Sequence, residues 1–129
     1  MQDRLTANEI ALVLEQDGAR LPEPAQFPDN FFQLPPKPAS VLIPLFKEGG
    51  EWHVLFIRRS EYEHDRHSGQ VAFPGGKVDA GDVDATAAAL REAEEEIGLS
   101  PEHVSILGYL RDYRTISNFM VTPVVAEIK

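Results

Sequence analysis

The sequence of 129 residues contains no cysteine. That excludes disulfides, thiolate catalysis and cysteine-ligated zinc. Positive charge is scarce: 12 Lys and Arg stand against 21 Asp and Glu, for a formal charge of -9. A surface of that sign repels nucleic acid, so no nucleic-acid partner is expected. It does not draw in polyphosphates from a distance either, so a phosphate ligand has to be held by local cations or by a metal. Long apolar runs are also missing. None reaches the ~20 residues that span a bilayer, and the opening Met-Gln-Asp-Arg-Leu does not read as a secretory signal. No membrane partner is expected, and a cytoplasmic protein is the default reading. The length suits one domain with one core, and an apolar fraction of 43% is ordinary for a globular chain.

Two parts are distinguishable along the chain. Residues 1–39 form an N-terminal extension. Within it Thr6-Ala7-Asn8-Glu9 has the spacing of a capping box, and Ile10, Ala11, Val13 and Leu14 follow at helical period up to Gly18. Six prolines between Pro22 and Pro38 then favour extended backbone, and Phe27, Phe31 and Phe32 are placed to pin it to a surface. Residues 40–129 form the main domain. Strands are expected over Ser40–Phe46, Trp52–Arg59, Gln70–Phe73, Val104–Leu110 and Phe119–Ile128, with Pro123 placing the last near an edge or a bulge. Trp52, Val54 and Phe56 fall on one face of the second strand and Leu55 and Ile57 on the other, which implies a sheet covered on both sides. Pro74-Gly75-Gly76 ends the third strand, and a loop from Lys77 to Val83 leads to a helix.

That helix, from about Asp84 to Ile97, carries the chemistry. Asp82 or Asp84 is its cap, Leu90, Ala93 and Ile97 give an apolar stripe, and Gly98 stops it. Glu92, Glu95 and Glu96 stand at i, i+3 and i+4 and so share a face near the C-terminal end. The helix dipole is negative there, so each acid costs ~0.3–1 kcal/mol, and like charges at i, i+4 cost roughly 0.2–0.5 kcal/mol more. A cation offsets such costs, and carboxylate oxygens suit hard divalent ions such as magnesium or manganese. Glycine beside a strand end lets backbone approach a metal or phosphate closely, which singles out Gly75 and Gly76. An acidic patch without these neighbours is usually a solvated face. His64 and His67, in a polar loop, are read as solvated, and Tyr109, Tyr113 and Phe119 as packing.

Gly76, Asp82 and the run Arg91-Glu92-Ala93-Glu94-Glu95-Glu96-Ile97-Gly98-Leu99 resemble the Nudix box, G-x5-E-x7-R-E-U-x-E-E-x-G-U with U apolar. The second half matches at every defined position with Ala93 as U. In the first half Asp82 replaces Glu, and eight residues rather than seven precede Arg91. That longer first half is similar to the coenzyme A diphosphatase subgroup. So is the upstream stretch Leu55-Phe56-Ile57-Arg58-Arg59-Ser60 with Gly69-Gln70-Val71-Ala72-Phe73-Pro74-Gly75-Gly76, set against L-L-T-x-R-S-x3-R-x3-G-x-V-x-F-P-G-G. Phe56 and Ile57 depart from it, the gap from Ser60 to Gly69 is one residue longer, and Arg66 is the nearest equivalent of the inner Arg.

The resemblance implies an α/β/α sandwich around a mixed sheet. It implies that Glu92, Glu95 and Glu96 hold magnesium or manganese, that Gly76 or Gly75 lends a carbonyl, and that Glu92 doubles as general base. Arg91 would orient the carboxylates by pairing with Glu94, Glu95 or a loop Asp, and Arg58, Arg59, Arg66 and Lys77 are candidates for substrate phosphates. The implied reaction cuts a small-molecule diphosphate, coenzyme A or a derivative, to 3',5'-ADP and 4'-phosphopantetheine or its acyl form. ADP-ribose or another nucleoside diphosphate derivative is the alternative substrate, and a weakly catalytic binding module the alternative class. The resemblance also implies a further C-terminal strand and helix that are missing here. A fragment, a homodimer, or substitution by the N-terminal helix would each account for that.

Overall fold

The computed structural model describes residues 5–17, 27–58 and 71–129. In chain order its elements are helix α1 (Ala7–Asp17), strands β1 (Lys37–Glu48), β2 (Glu51–Val54), β3 (Ile57–Arg58), β4 (Val71–Ala72) and β5 (Gly75–Lys77), helix α2 (Ala85–Ile97), a 3-10 turn (Pro101–His103), and strands β6 (Val104–Tyr109), β7 (Tyr113–Arg114) and β8 (Phe119–Ile128). The main sheet runs β2-β1-β8-β6, with β5 also on β1 and β7 also on β8. β1 and β8 are parallel, from Lys37 opposite Phe119 to Leu45 opposite Glu127. The other pairs are antiparallel.

Four prolines show how so long a central strand is served by short neighbours. A strand residue's N–H and C=O project to the same side, so a proline accepts there but cannot donate. Pro44 O accepts from Leu55 N and Pro38 O from Val78 N, just past the last paired residues of β2 and β5. Pro74 O accepts from Leu42 N at the other end of β5, and Pro123 O from Leu110 N where β6 stops and β7 has not begun. Each missing donor falls at the end of a ladder. Pro123 is thus in a central strand rather than at an edge; of the two placements expected, the bulge has its counterpart in the irregular register at Ile106–Gly108, opposite Ala126 and Val125.

The two faces of the sheet are covered differently. Leu42, Val124 and Ala126 face α2 and pack on Ala89 and Ala93, with Leu99, Val104 and Ile106 closing the sides. Fully burying a side chain such as Leu42 or Val124 contributes ~1.5–3 kcal/mol. Of the expected stripe Ala93 is buried and Leu90 and Ile97 are part-buried, while Ala88 and Ala89 complete the buried face. These small residues bring the helix axis close to the sheet. On the other face, α1 crosses from β2 to β6. Trp52 Nε1 donates to Leu5 O at 2.8 Å, and Leu14 covers Gly108, which pairs with Val125 on the face away from α2. The capping box of α1 is reciprocal: Thr6 N donates to Glu9 Oε1 at 3.0 Å and Glu9 N to Thr6 Oγ1 at 3.1 Å. The layering is α/β/α, as expected.

Three local readings are corrected. The strand expected over Trp52–Arg59 is two strands, because β3 leaves the main sheet to pair with β4, Ile57 opposite Ala72 and Arg58 opposite Val71. Val54 and Phe56 are consequently exposed. Gly75-Gly76 is not the end of the third strand but a strand of its own: both glycines belong to β5 and pair with Val41 and Ser40. The short strand β7 was not expected at all. The strand expected over Phe119–Ile128 has those bounds.

Candidate active site

Both ends of α2 are fixed by the residues singled out for them. Asp84 is the cap and its side chain accepts from Ala87 N at 2.8 Å. Gly98, at φ 69°, takes the left-handed conformation that ends the helix, and its N–H donates to Glu94 O. With its alanine face on the sheet, α2 presents Glu92 and Glu96 to β5. Glu96 Oε2 accepts from Gly75 N at 3.1 Å. Glu92 Oε1 lies 2.7 Å from where a Cβ on Gly76 would stand, so the missing side chain is what admits the carboxylate.

Arg91 ties the site together. Its Nε and Nη2 each lie 3.0 Å from an oxygen of Asp82, a two-pronged pairing. Its Nη1 donates to Glu92 Oε1 at 3.2 Å and Glu95 Oε2 at 3.0 Å, and Nη2 to Lys77 O at 3.2 Å. Asp79 Oδ2 is 3.3 Å away. Of the partners considered for Arg91, Glu95 and a loop Asp are found; among the described residues it makes no contact with Glu94. Asp82 is only 7% exposed. The Arg91 guanidinium and the Asp79 backbone hold its carboxyl below the usual range, and Asp82 chiefly pushes the guanidinium up.

The carboxylates are therefore collected on an arginine. Among the described residues no three His, Asp or Glu side chains form a ready-made metal cage; Arg91 Nη1 bonds both Glu92 and Glu95. The donor chemistry nonetheless fits a hard divalent ion: oxygen donors on one helix face, against a backbone stripped of side chains. Which carbonyl faces them follows from the ladder. Leu42 N donates to Pro74 O and Val78 N to Pro38 O, so by antiparallel alternation Ser40 and Gly76 between them are a hydrogen-bonded pair. Gly76, expected to lend a carbonyl, turns it toward β1. Gly75 sends its N–H to Glu96 and faces its carbonyl to the open edge.

Beside β5 opens a cleft of about 420 Å³, floored by Ala39, Val41 and Val121 and walled by Phe73, Tyr113 and Phe119. Lys77, Thr115 and Ser117 add polar groups. Lys77 thus lies at the cleft. Arg58 is on β3 and does not line it. Arg59 and Arg66, like His64 and His67, lie outside the described residues. Sequence reasoning took Tyr113 and Phe119 for packing and left Asp82 outside the site. The signal for Tyr113 would have been β7, too short to leave a pattern. Burial pushes the Tyr113 hydroxyl up, so the ring stays neutral.

Opposite the helix, Arg114 holds the N-terminal extension. Its guanidinium lies 3.9 Å from the Phe32 ring centroid, inside a cluster of Phe27, Phe31 and Phe32, and Nη2 donates to Asn118 Oδ1 at 2.7 Å. Asn118 Nδ2 donates in turn to Leu34 O at 3.0 Å.

A helix bearing Arg91-Glu92-x-x-Glu95-Glu96, packed on a Gly-Gly strand of a mixed sheet, is the arrangement that the Nudix box encodes. The NUDIX domain family matches residues 36–127, and the chain belongs to that family. It is 48% identical over 86 residues to the Mus musculus protein named peroxisomal coenzyme A diphosphatase NUDT7, covering 67% of this chain and 36% of that one. It is 46% identical over 90 residues to the Nudix hydrolase NudL of Escherichia coli K12, covering 70% and 46%. The chain thus spans between about a third and a half of these relatives' lengths. Among solved structures, the M. smegmatis Nudix hydrolase RenU superposes with a TM-score of 0.59 at 25% identity, covering 74% of this chain and 63% of that one. The C. elegans Ap4A hydrolase does so with 0.56 at 25%, covering 71% and 67%.

Proposed function

We propose that this chain is a divalent-metal-dependent diphosphatase that cuts coenzyme A or its derivatives to 3',5'-ADP and 4'-phosphopantetheine or its acyl form. The observation that carries the reading is that Glu92 and Glu96 close on the Gly75-Gly76 strand, which borders a cleft, while Arg91 holds Glu95 beside Glu92. The choice of coenzyme A rests on the subgroup signature between Leu55 and Gly76 and on the relative that bears that name.

Bound magnesium or manganese would neutralise the diphosphate oxygens and make a water more acidic. Glu92, Glu95 and Glu96 would hold it, helped by the Gly75 carbonyl. Arg91 keeps Glu92 and Glu95 in reach of one another and would give them up to a stronger cation. Glu92, pressed on Gly76 and only 19% exposed, is the carboxylate best placed to take the proton of the attacking water. Lys77 faces the substrate phosphates from the cleft wall, with Arg58, Arg59 and Arg66 as further candidates. Phe73, Tyr113 and Phe119 offer flat apolar surface to an adenine ring.

The test is product analysis. With manganese and, separately, coenzyme A, dephospho-coenzyme A and ADP-ribose, chromatography should show 3',5'-ADP released from coenzyme A. Cleavage of ADP-ribose with no 3',5'-ADP from coenzyme A would reject the substrate. No manganese binding by calorimetry would reject the enzyme in favour of a binding module. Glu95→Gln with Glu96→Gln should abolish binding and lower turnover by about a thousandfold or more.

A further inference from the structure

Ser40 is fully buried, and among the described residues its hydroxyl has no hydrogen-bond partner. Such a group costs stability, and an alanine would fill the same space without that cost. Its position gives it a use. Ser40 pairs directly with Gly76, so the two residues project to the same face of the sheet, the one covered by α2. On that face the vacant Cβ position of Gly76 is occupied by the Glu92 carboxylate, with Oε1 at 2.7 Å and Oε2 at 3.1 Å. Oε1 accepts from Arg91, whereas among the described residues no hydrogen bond reaches Oε2. Directly paired residues have Cβ atoms roughly 4.5–5.5 Å apart. Among the described residues, a donor without an acceptor and an acceptor without a donor therefore share one face of the sheet, at directly paired positions.

We propose that Ser40 becomes the positioning residue for Glu92 when Arg91 gives it up: the hydroxyl then donates to the second carboxylate oxygen, directly or through one water, and keeps the carboxylate seated on Gly76. The inference rests on the reading of Glu92 as a cation ligand. Arg91 is a poor holder in that state, because its positive charge and that of a divalent ion on the same carboxylate repel one another. A neutral donor on the opposite side leaves one oxygen pointing outward.

The test uses the full chain with Ser40→Ala, Glu92→Gln and the double variant. Denaturant unfolding without metal is expected to leave Ser40→Ala as stable as the parent or more so. Manganese affinity by calorimetry is expected to fall about tenfold in Ser40→Ala. Glu92→Gln alone should weaken it further, and adding Ser40→Ala to Glu92→Gln should change little, since the hydroxyl acts only through that side chain. Parental affinity in Ser40→Ala, or equal losses in both backgrounds, overturns the proposal. If the parent binds no manganese, the cation reading fails on its own. The hydrogen bond is then judged by the carboxyl-carbon NMR resonance of Glu92 in metal-free Arg91→Ala, where the arginine no longer holds the carboxylate. That resonance should move when Ser40→Ala is added, and an unmoved one ends the proposal.

Discussion

Two arginines organise this molecule, and they do it with different partners. Arg91 is held by charge: Asp79, Asp82, Glu92 and Glu95 surround it. Arg114 is held by neutral groups: the Asn118 amide oxygen, the Leu34 carbonyl and the Phe32 ring. Both tie a loop to a sheet strand or helix. An ionic knot can be undone by acid or by a competing cation, whereas an amide, a carbonyl and a ring respond to neither. The first suits a site that must let go of its carboxylates, the second a scaffold that must not move.

The largest test of that contrast is to remove each arginine in turn. Arg91→Ala should lower turnover of coenzyme A about a hundredfold, because Glu92 and Glu95 lose their common holder. Arg114→Ala should leave kcat within about twofold and raise KM several-fold, since it frees the Thr115–Ser117 rim of the cleft. It should also lower the melting temperature, by roughly 3–6 °C for each kcal/mol lost. Equal effects on kcat would erase the distinction.

A smaller effect separates the two glycines beneath Arg91's carboxylates. In Gly76→Ala the new methyl meets the end of a side chain, so Glu92 yields, manganese affinity falls about tenfold and the fold survives. In Gly75→Ala it meets the Ser40 carbonyl oxygen and, at 2.8 Å, Val41 Cα. Backbone cannot yield in the same way, so the loss should appear in stability instead. Calorimetry and thermal melting on both variants read the difference.

The smallest effect is in pH. Folding lowers the Asp82 pKa from its ordinary 3.8. Its contribution to stability is therefore complete above that value and is lost as pH falls through the lower, folded one. The stability gap between the parent and Asp82→Asn should stay constant above about pH 5 and close below about pH 4. The gap between the parent and Arg114→Ala should stay flat over the same range, because neither Asn118 nor Phe32 titrates.

What could be read from the sequence follows from how local its physical cause is. The span of α2 from Ala85 to Ile97, its Asp84 cap, its Gly98 stop and the reciprocal Thr6–Glu9 box all depend on neighbours within four residues. So does the Glu92, Glu95, Glu96 spacing. β5 was illegible because glycines carry no hydrophobic alternation, and its pairing partner lies some 35 residues away. Arg114 was missed because its partners Phe32 and Leu34 are about 80 residues upstream. The buried face of α2 was read only in part because alanines scarcely register as apolar, yet their size sets how near the helix comes.

The side-by-side pairing of β1 with β8 has a temporal consequence. The two central strands are contributed by opposite ends of the domain, from Lys37 and from Phe119 onward. While the chain is being synthesised, Leu42 and its neighbours must wait unpaired on one flank until some 80 more residues have emerged from the ribosome. Such high contact order slows folding and leaves an open strand edge on the nascent protein. Pro38 and Pro44 withhold N–H donors only on the opposite flank, the one that β5 and β2 occupy, so the waiting edge keeps its full set of donors and is a ready template for a wrong partner.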